Sequence, residues 1–207
     1  MIAAVMCGGR GTRMKMEYCM NEKPLLDIKG KTLLERVIDA LIDSQSFSKI
    51  IGVSSYNTPK TSRFLHYRYR DLVEIVKTEG TSYSRDLSSI LYKLKPSKTF
   101  VVSADLPLLN PNTIKKIINL CAAFDVACIS VVLEKYFVKN LGIEPSIVFN
   151  IGKKEYCHSG IAIVDSSQFK SQDDLDEYYV VMNEKEIAVN VNTPMELNLA
   201  EKLIYNN

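Results

Sequence analysis

The chain is poor in the residues that most metal and redox chemistry needs. Only two histidines, His66 and His158, are present, which excludes a histidine-rich metal centre and leaves oxygen ligands to hold any catalytic metal. The five cysteines are an odd number with no C-x-x-C pair, which argues against a disulfide framework and against a structural zinc site. Cys7, Cys121 and Cys128 sit inside apolar runs and read as buried small hydrophobes. No stretch reaches the roughly 20 apolar residues of a membrane span. The amino-terminal run Met1 to Cys7 stops at two glycines, after about half the length that a secretory signal needs. A cytoplasmic protein is expected.

An excess of charge of either sign is also missing. With 26 basic and 24 acidic residues the formal net charge is +2, too balanced for a polynucleotide binder, which concentrates basic residues on one face. Lys115-Lys116 is the nearest approach to such a cluster and reads as a solvated helix pair, so no nucleic-acid partner is expected. The apolar fraction of 46% and charged fraction of 24% are those of a folded globular chain. Linkers and internal repeats are absent, so residues 1–207 are expected to form a single domain.

What is there is an alternation of short apolar runs with segments of helical period, the pattern of a sheet carrying crossover helices. Strands are expected at Ile2–Met6, Ile50–Ser54, Val73–Lys77, Thr99–Ser103 and Val126–Leu133. Thr99–Ser103 is nearly all apolar, as befits the buried centre of a parallel sheet. Thr32 and Glu35 form a capping box for a helix over Thr32–Asp43. Pro59 suits the first turn of a helix from Thr58, Ser84–Leu94 reads as a third helix and Asn110-Pro111 opens a fourth. From Glu134 to Asp176 the reading is an irregular stretch with short strands near Ser146–Phe149 and Gly160–Val164, then a polar run. A strand at Ile187–Val191 is expected to lead into a last helix capped by Thr193-Pro194-x-Glu196. The expected fold is α/β: a three-layer α/β/α sandwich with a mostly parallel central sheet.

The first strand runs into Cys7-Gly8-Gly9-Arg10-Gly11-Thr12-Arg13-Met14. Glycines let backbone N–H groups approach a polyphosphate closely, and guanidinium groups supply fixed bidentate charge for its oxygens. The dinucleotide fingerprint G-x-G-x-x-G fails because Met14 stands where its third glycine would be. The Walker pattern ending at Gly30-Lys31-Thr32 fails because Leu25 stands at its first glycine. Ser103-Ala104-Asp105-Leu106-Pro107 places a carboxylate at the carboxyl end of a central strand, where open α/β sheets bind ligands. Asp105 is thus the first candidate for magnesium, which needs only one or two protein oxygens besides substrate phosphates.

The run G-x-G-T-R-M followed by Lys23-Pro24 resembles the signature of the sugar-nucleotide-transferase-like nucleotidyltransferases, which have a Rossmann-like fold. The resemblance implies that Gly8, Gly9, Gly11, Thr12 and Arg13, with Cys7 beside them, wrap a nucleoside triphosphate. It implies that Lys23 screens the α-phosphate, that Asp105 binds Mg2+ and that Asn192, with Asn190 in reserve, supplies a second metal contact. Whether Arg10 meets ligand or solvent stays open. Ser55-Tyr56-Asn57-Thr58-Pro59-Lys60-Thr61, Gly80-Thr81-Ser82-Tyr83-Ser84-Arg85-Asp86-Leu87, Pro145-Ser146-Ile147-x-Phe149-Asn150, His158-Ser159-Gly160-Ile161 and Asn190-x-Asn192-Thr193 extend the likeness over the whole chain. In order and spacing they resemble the archaeal-type GTP:adenosylcobinamide-phosphate guanylyltransferases of cobalamin assembly. That implies GTP as substrate, a phosphorylated corrinoid as acceptor, Gly80, Thr81 and Ser82 bordering the base, and Gly160 beneath the acceptor. Molybdenum-cofactor and sugar-phosphate transfer, and a silent nucleotide sensor, are the rival readings. A homodimer stays open.

Overall fold

A computed structural model describes residues 1–9, 11, 13–14, 22–94, 96–168 and 177–205. Arg10 and Thr12 lie outside the described residues. Ten strands are formed by Ile2–Met6 (β1), Asp27–Ile28 (β2), Lys31–Thr32 (β3), Lys49–Ser55 (β4), Glu74–Thr78 (β5), Lys98–Ser103 (β6), Cys128–Glu134 (β7), Phe149–Ile151 (β8), Lys154–Asp165 (β9) and Glu177–Val181 (β10). The helices are Leu33–Ser44 (α1), Pro59–Tyr69 (α2), Tyr83–Lys93 (α3), Pro111–Cys121 (α4), Lys135–Asn140 (α5), Lys185–Ala188 (α6) and Pro194–Tyr205 (α7).

The main sheet has the order β10-β7-β9-β6-β1-β4-β5, with β8 paired to β9. All its neighbours along that path run parallel except β9, which is antiparallel to both β6 and β7. A parallel strand buried on both faces must be apolar throughout, and Ala3, Ala4 and Val5 of β1 are fully buried. One face packs against α1, α2, α4 and α7 through a core that includes Leu34, Val37, Ile38, Leu65, Ile114 and Leu197. The other is covered by α3 through Ile90 and Leu91, which meet Ala4, Ile51, Val53 and Val101. Three layers result.

Local chemistry sets the helix starts. Thr32 and Glu35 do form the capping box: Glu35 N donates to Thr32 Oγ1 at 3.1 Å, and Thr32 N donates to Glu35 Oε2 at 2.8 Å. Such a cap stabilises by about 1 kcal/mol. Asn110 caps α4 by accepting from Thr113 N at 3.0 Å. The final helix starts with Glu196 accepting from Thr193 N at 2.8 Å.

Four expectations need correction. Ile187–Val191 is not a strand: Lys185–Ala188 close one helical turn, α6, with Ile187 and Ala188 buried. The apolar run instead buries Ile187, Ala188, Val189 and Val191 in the main core without joining the sheet. Asn190 and Asn192 therefore share no strand face. The weak stretch after Glu134 contains a helix, α5, and the short strand expected over Gly160–Val164 is the 12-residue β9. The strand expected near Ser146–Phe149 begins only at Phe149. Finally, β6 is parallel to a neighbour on one side only, since its other neighbour is the antiparallel β9.

Candidate active site

Strand order creates the site. From β1 the chain steps outward through β4 and β5, then returns to place β6 on the other side of β1, so connections diverge at the β1/β6 boundary. Ligands bind at such a switch point, outside the carboxyl ends of the strands. Register brings the ends level: Met6 lies opposite both Val53 and Ser103. Beyond them opens a cleft of about 480 Å³ lined by Cys7, Gly8, Gly9, Gly11, Arg13, Lys23, Gly80, Thr81, Ser82, Asp105 and Asn192, among others. The described residues expected from sequence are thus brought to one cavity.

The glycine turn is fixed by close packing. Cys7 N donates to Val53 O at 3.0 Å, and Gly8 O accepts from Ser55 Oγ at 2.7 Å. Gly11 has φ +63°, and a Cβ there would come within 2.9 Å of Lys23 Cβ. Both the left-handed backbone and the crowding therefore demand glycine. Burial, helped by the negative charge of Glu22, pushes the Cys7 thiol up to about 12. It remains neutral and adds no negative charge where a polyphosphate would lie.

Opposite the turn, Lys23 Nζ donates to Asp105 Oδ2 and, at 2.9 Å, to Asn192 Oδ1. Arg13 Nη2 reaches the same amide oxygen at 2.8 Å, while Nη1 donates to Ser146 Oγ. Lys23 meets the carboxylate directly and Arg13 joins it through the shared Asn192 amide oxygen, which puts two cations side by side where a phosphate could lie. Asn192 is held in turn: its Nδ2 donates to Asn190 Oδ1 at 2.8 Å and its backbone N to Glu196 Oε2 at 2.6 Å. Asp105 O accepts from Val191 N at 2.9 Å, which ties the metal-candidate segments together.

Metal fit rests on Asp105. Its Oδ1 is buried and has no hydrogen-bond partner, a costly state for a carboxylate oxygen unless a cation or donor arrives. Lys23 brings Asp105 Oδ2 and Asn192 Oδ1 onto one ammonium, so two hard oxygens already share one cation. Substrate phosphates and water would complete the shell of a magnesium ion. Among the described residues no group of three or more His, Cys, Asp or Glu comes together to hold a metal. Asn190, the reserve candidate, supports Asn192 rather than sharing the lysine.

Residues not singled out from sequence complete the arrangement. Glu22 accepts from Lys60 N and Thr61 N at 2.7 and 2.6 Å, so a carboxylate from outside the helix serves α2, whose Thr58 makes no side-chain cap. This fixes the residue next to Lys23. Ser146 anchors Arg13 from 133 positions away. Asp86 accepts from Gly80 N at 3.1 Å, and Asn57 Nδ2 donates to Gly80 O at 2.9 Å, clamping the loop after β5. Asn57, Asp86 and Ser146 stood within motif segments of the sequence, but the contacts they make were not visible there. Gly160, with φ +83°, sits against Ser103, whose Cβ lies 3.1 Å from where its own would be. Farther along β9, His158 stacks on Phe149 with centroids 4.7 Å apart.

A glycine turn, paired cations and a lone carboxylate at the carboxyl ends of a mostly parallel sheet define the nucleotidyltransferase class of protein. Residues 3–147 match the MobA-like NTP transferase domain, and the chain belongs to that family. It is 31% identical, over 99% of its length and 97% of the relative's, to an adenosylcobinamide-phosphate guanylyltransferase of Methanocaldococcus jannaschii. A probable molybdenum cofactor guanylyltransferase of Natranaerobius thermophilus is 24% identical, with 98% and 95% of the two chains covered. The fold matches a CMP:2-keto-3-deoxy-manno-octonic acid synthetase at TM-score 0.68 and 13% identity, covering 99% and 98% of the chains. A 4-diphosphocytidyl-2C-methyl-D-erythritol synthase of Anaerococcus prevotii superposes at TM-score 0.67 with 13% identity, over 99% and 97%.

Proposed function

We propose that this protein is a magnesium-dependent guanylyltransferase that transfers GMP from GTP to adenosylcobinamide phosphate, giving adenosylcobinamide-GDP and pyrophosphate. The observation that supports it most is the cluster beside the glycine turn in which Lys23 binds both the Asp105 carboxylate and the Asn192 amide oxygen, and Arg13 reaches that same amide oxygen. The acceptor is carried by the relative that spans nearly the whole chain.

An oxygen of the acceptor phosphate forms a bond to the α-phosphorus of GTP, and the bond from that phosphorus to the bridging oxygen of pyrophosphate breaks. A phosphate monoester is anionic near neutral pH, so no strong base is needed. Backbone amides of Gly8, Gly9 and Gly11 border the triphosphate, with Cys7 and Thr12 alongside. Arg13 clamps its oxygens, and Lys23 moves from Asp105 towards the α-phosphate. Asp105 and Asn192 would hold Mg2+, which when bound would neutralise charge on the phosphates. Gly80, Thr81 and Ser82 border the base. Electrostatic stabilisation of this kind supplies most of the acceleration in phosphoryl transfer.

Gly160, which has no side chain to crowd Ser103 and Asn190, lies beneath the acceptor in this reading, and the stacked rings of Phe149 and His158 on adjoining strands offer it an apolar shelf. The unbroken sheet supports reading residues 1–207 as one domain. Free thiols at Cys7, Cys121, Cys128 and Cys157 fit a cytoplasmic setting, and no described helix is long and apolar enough to cross a membrane. A homodimer is compatible with this reading.

Labelled GTP, magnesium and adenosylcobinamide phosphate should yield a GDP-linked corrinoid in the presence of the protein. Transfer only to a molybdenum-cofactor or sugar-phosphate acceptor would replace the acceptor assignment. Binding of GTP with no magnesium-dependent turnover on any acceptor would make the protein a nucleotide sensor.

A further inference from the structure

Among the described residues Asp86 is the one buried acidic side chain lining the cleft that the transfer step does not use. It lies in the first turn of α3, is 7% exposed, and lines the cavity beside Gly80, Thr81 and Ser82. Its Oδ1 accepts from Gly80 N at 3.1 Å. Among the described residues no donor reaches Oδ2 and no lysine or arginine pairs with the carboxylate. Oδ2 is also not one of the sealed, unpartnered oxygens of the interior, so it faces the cleft. An asparagine would clamp Gly80 equally well without a charge. Burying a carboxylate is costly, and the Gly80 amide and the positive end of α3 offset only part of that cost.

A carboxylate is an acceptor-only group with two adjacent oxygens. Of the common bases only guanine offers two adjacent donors, N1–H and N2–H₂, on one edge. Adenine presents a lone pair at N1, which would oppose Oδ2, and cytosine and uracil likewise set an acceptor next to any donor. We propose that Asp86 is the residue that selects guanine, Oδ2 accepting from the 2-amino group and the carboxylate from N1–H. This rests on the guanylyltransferase reading and adds the basis of base choice to it. The backbone groups of Gly80 and the hydroxyls of Thr81 and Ser82 could serve several bases; the paired oxygens of Asp86 cannot.

The test compares GTP, ITP, XTP and ATP as substrates for the wild-type protein and for Asp86→Asn. ITP lacks the 2-amino group, so the unmodified protein should use it at least about 10-fold less efficiently than GTP. In Asp86→Asn the oxygen facing the 2-amino group becomes a donor. GTP should lose about 10²-fold in kcat/KM, while XTP, whose O2 accepts from the new amide, should gain relative to GTP by at least as much. The Gly80 clamp survives in this variant, and a thermal midpoint close to wild type shows that the fold does too. Equal use of GTP and ITP by the wild type, or an unchanged GTP-to-XTP ratio in the variant, would overturn the assignment to Asp86. A wild-type protein that takes ATP as readily as GTP would instead remove the guanylyltransferase reading itself.

Discussion

Glu22 reaches across 39 positions to accept the backbone amide of Thr61 at 2.6 Å. With the neighbouring amide of Lys60 also bound, the start of α2 becomes the anchor of the segment that presents Lys23. Negative charge at a helix amino terminus is favourable, which adds to the hydrogen bonds. The lysine is therefore positioned by a helix with which it shares no local sequence.

Glu22 should behave as a positioning residue. Removing both acceptor oxygens in Glu22→Ala should cost about 1–2 kcal/mol of stability, the scale of a lost helix cap. It should also lower kcat by roughly 10-fold through misplacement of Lys23. Glu22→Gln, which keeps one acceptor, should recover most of the rate. Thermal melts together with kcat at saturating GTP separate the two effects; equal rates for Ala, Gln and wild type would remove the positioning role.

The side chains placed at the phosphates by the proposed transfer should give larger effects. Asp105→Ala or Lys23→Ala should each lower kcat by about 10²-fold or more, on the scale of single electrostatic contacts in a closed site. The double variant should lose less than the product of the two, because the side chains are bonded to each other. Steady-state rates at saturating substrate measure both statements. Near-normal turnover in either single variant would contradict the roles given to them.

Acid sensitivity should appear at the capping box of α1. Burial alone would raise the Glu35 carboxyl, but the Thr32 amide, the Arg68 guanidinium and the Thr32 hydroxyl together hold it below its usual range. A carboxyl lowered by folding stabilises fully above its unfolded value of about 4.3 and loses that contribution as pH falls through the folded value. The gap in melting temperature between wild type and Glu35→Gln should thus be constant from pH 7 to about 5 and close below about 4. A gap that widens on acidification would reverse the sign of the effect.

Thiol chemistry should be quiet in the native state. Burial pushes Cys7 up to about 12 and Cys121, Cys128 and Cys157 up to about 11. The reactive form is the thiolate, so at pH 8 these four should alkylate at least about 10²-fold more slowly than an ordinary free thiol. Denaturation should release them all, and peptide mapping after brief alkylation would identify any that react early. Rapid native modification of Cys7 would show that the glycine turn is more open than its packing against Val53 and Ser55 implies.

Much of the fold was readable because its signals are local. The Thr32/Glu35 box, Asn110-Pro111 and Thr193-Pro194-x-Glu196 each satisfy helix-end amides within a few residues, and a short window contains the whole interaction. Ile187–Val191 misled for the opposite reason: its composition favours a strand, but the run is set by tertiary burial, Ile187, Ala188, Val189 and Val191 packing into the main core from a helical turn and the loop after it. The length of β9 was hidden by Gly160, whose positive φ lies within a continuous strand. In the site, Lys23 and Asp105 stood out by motif. Glu22, Asp86 and Ser146 lie in the same motif segments, but their roles were not legible, because those are set by contacts across the fold or by the cavity they line, and neither is written into neighbouring sequence.

A crystal structure of the protein with GTP and magnesium tests the central claim most directly. The triphosphate should lie between the turn at Gly8–Arg13 and Lys23, with the metal held by Asp105 and Asn192. A nucleotide bound elsewhere, or an Asp105 carboxylate turned away from the phosphates, would contradict the account.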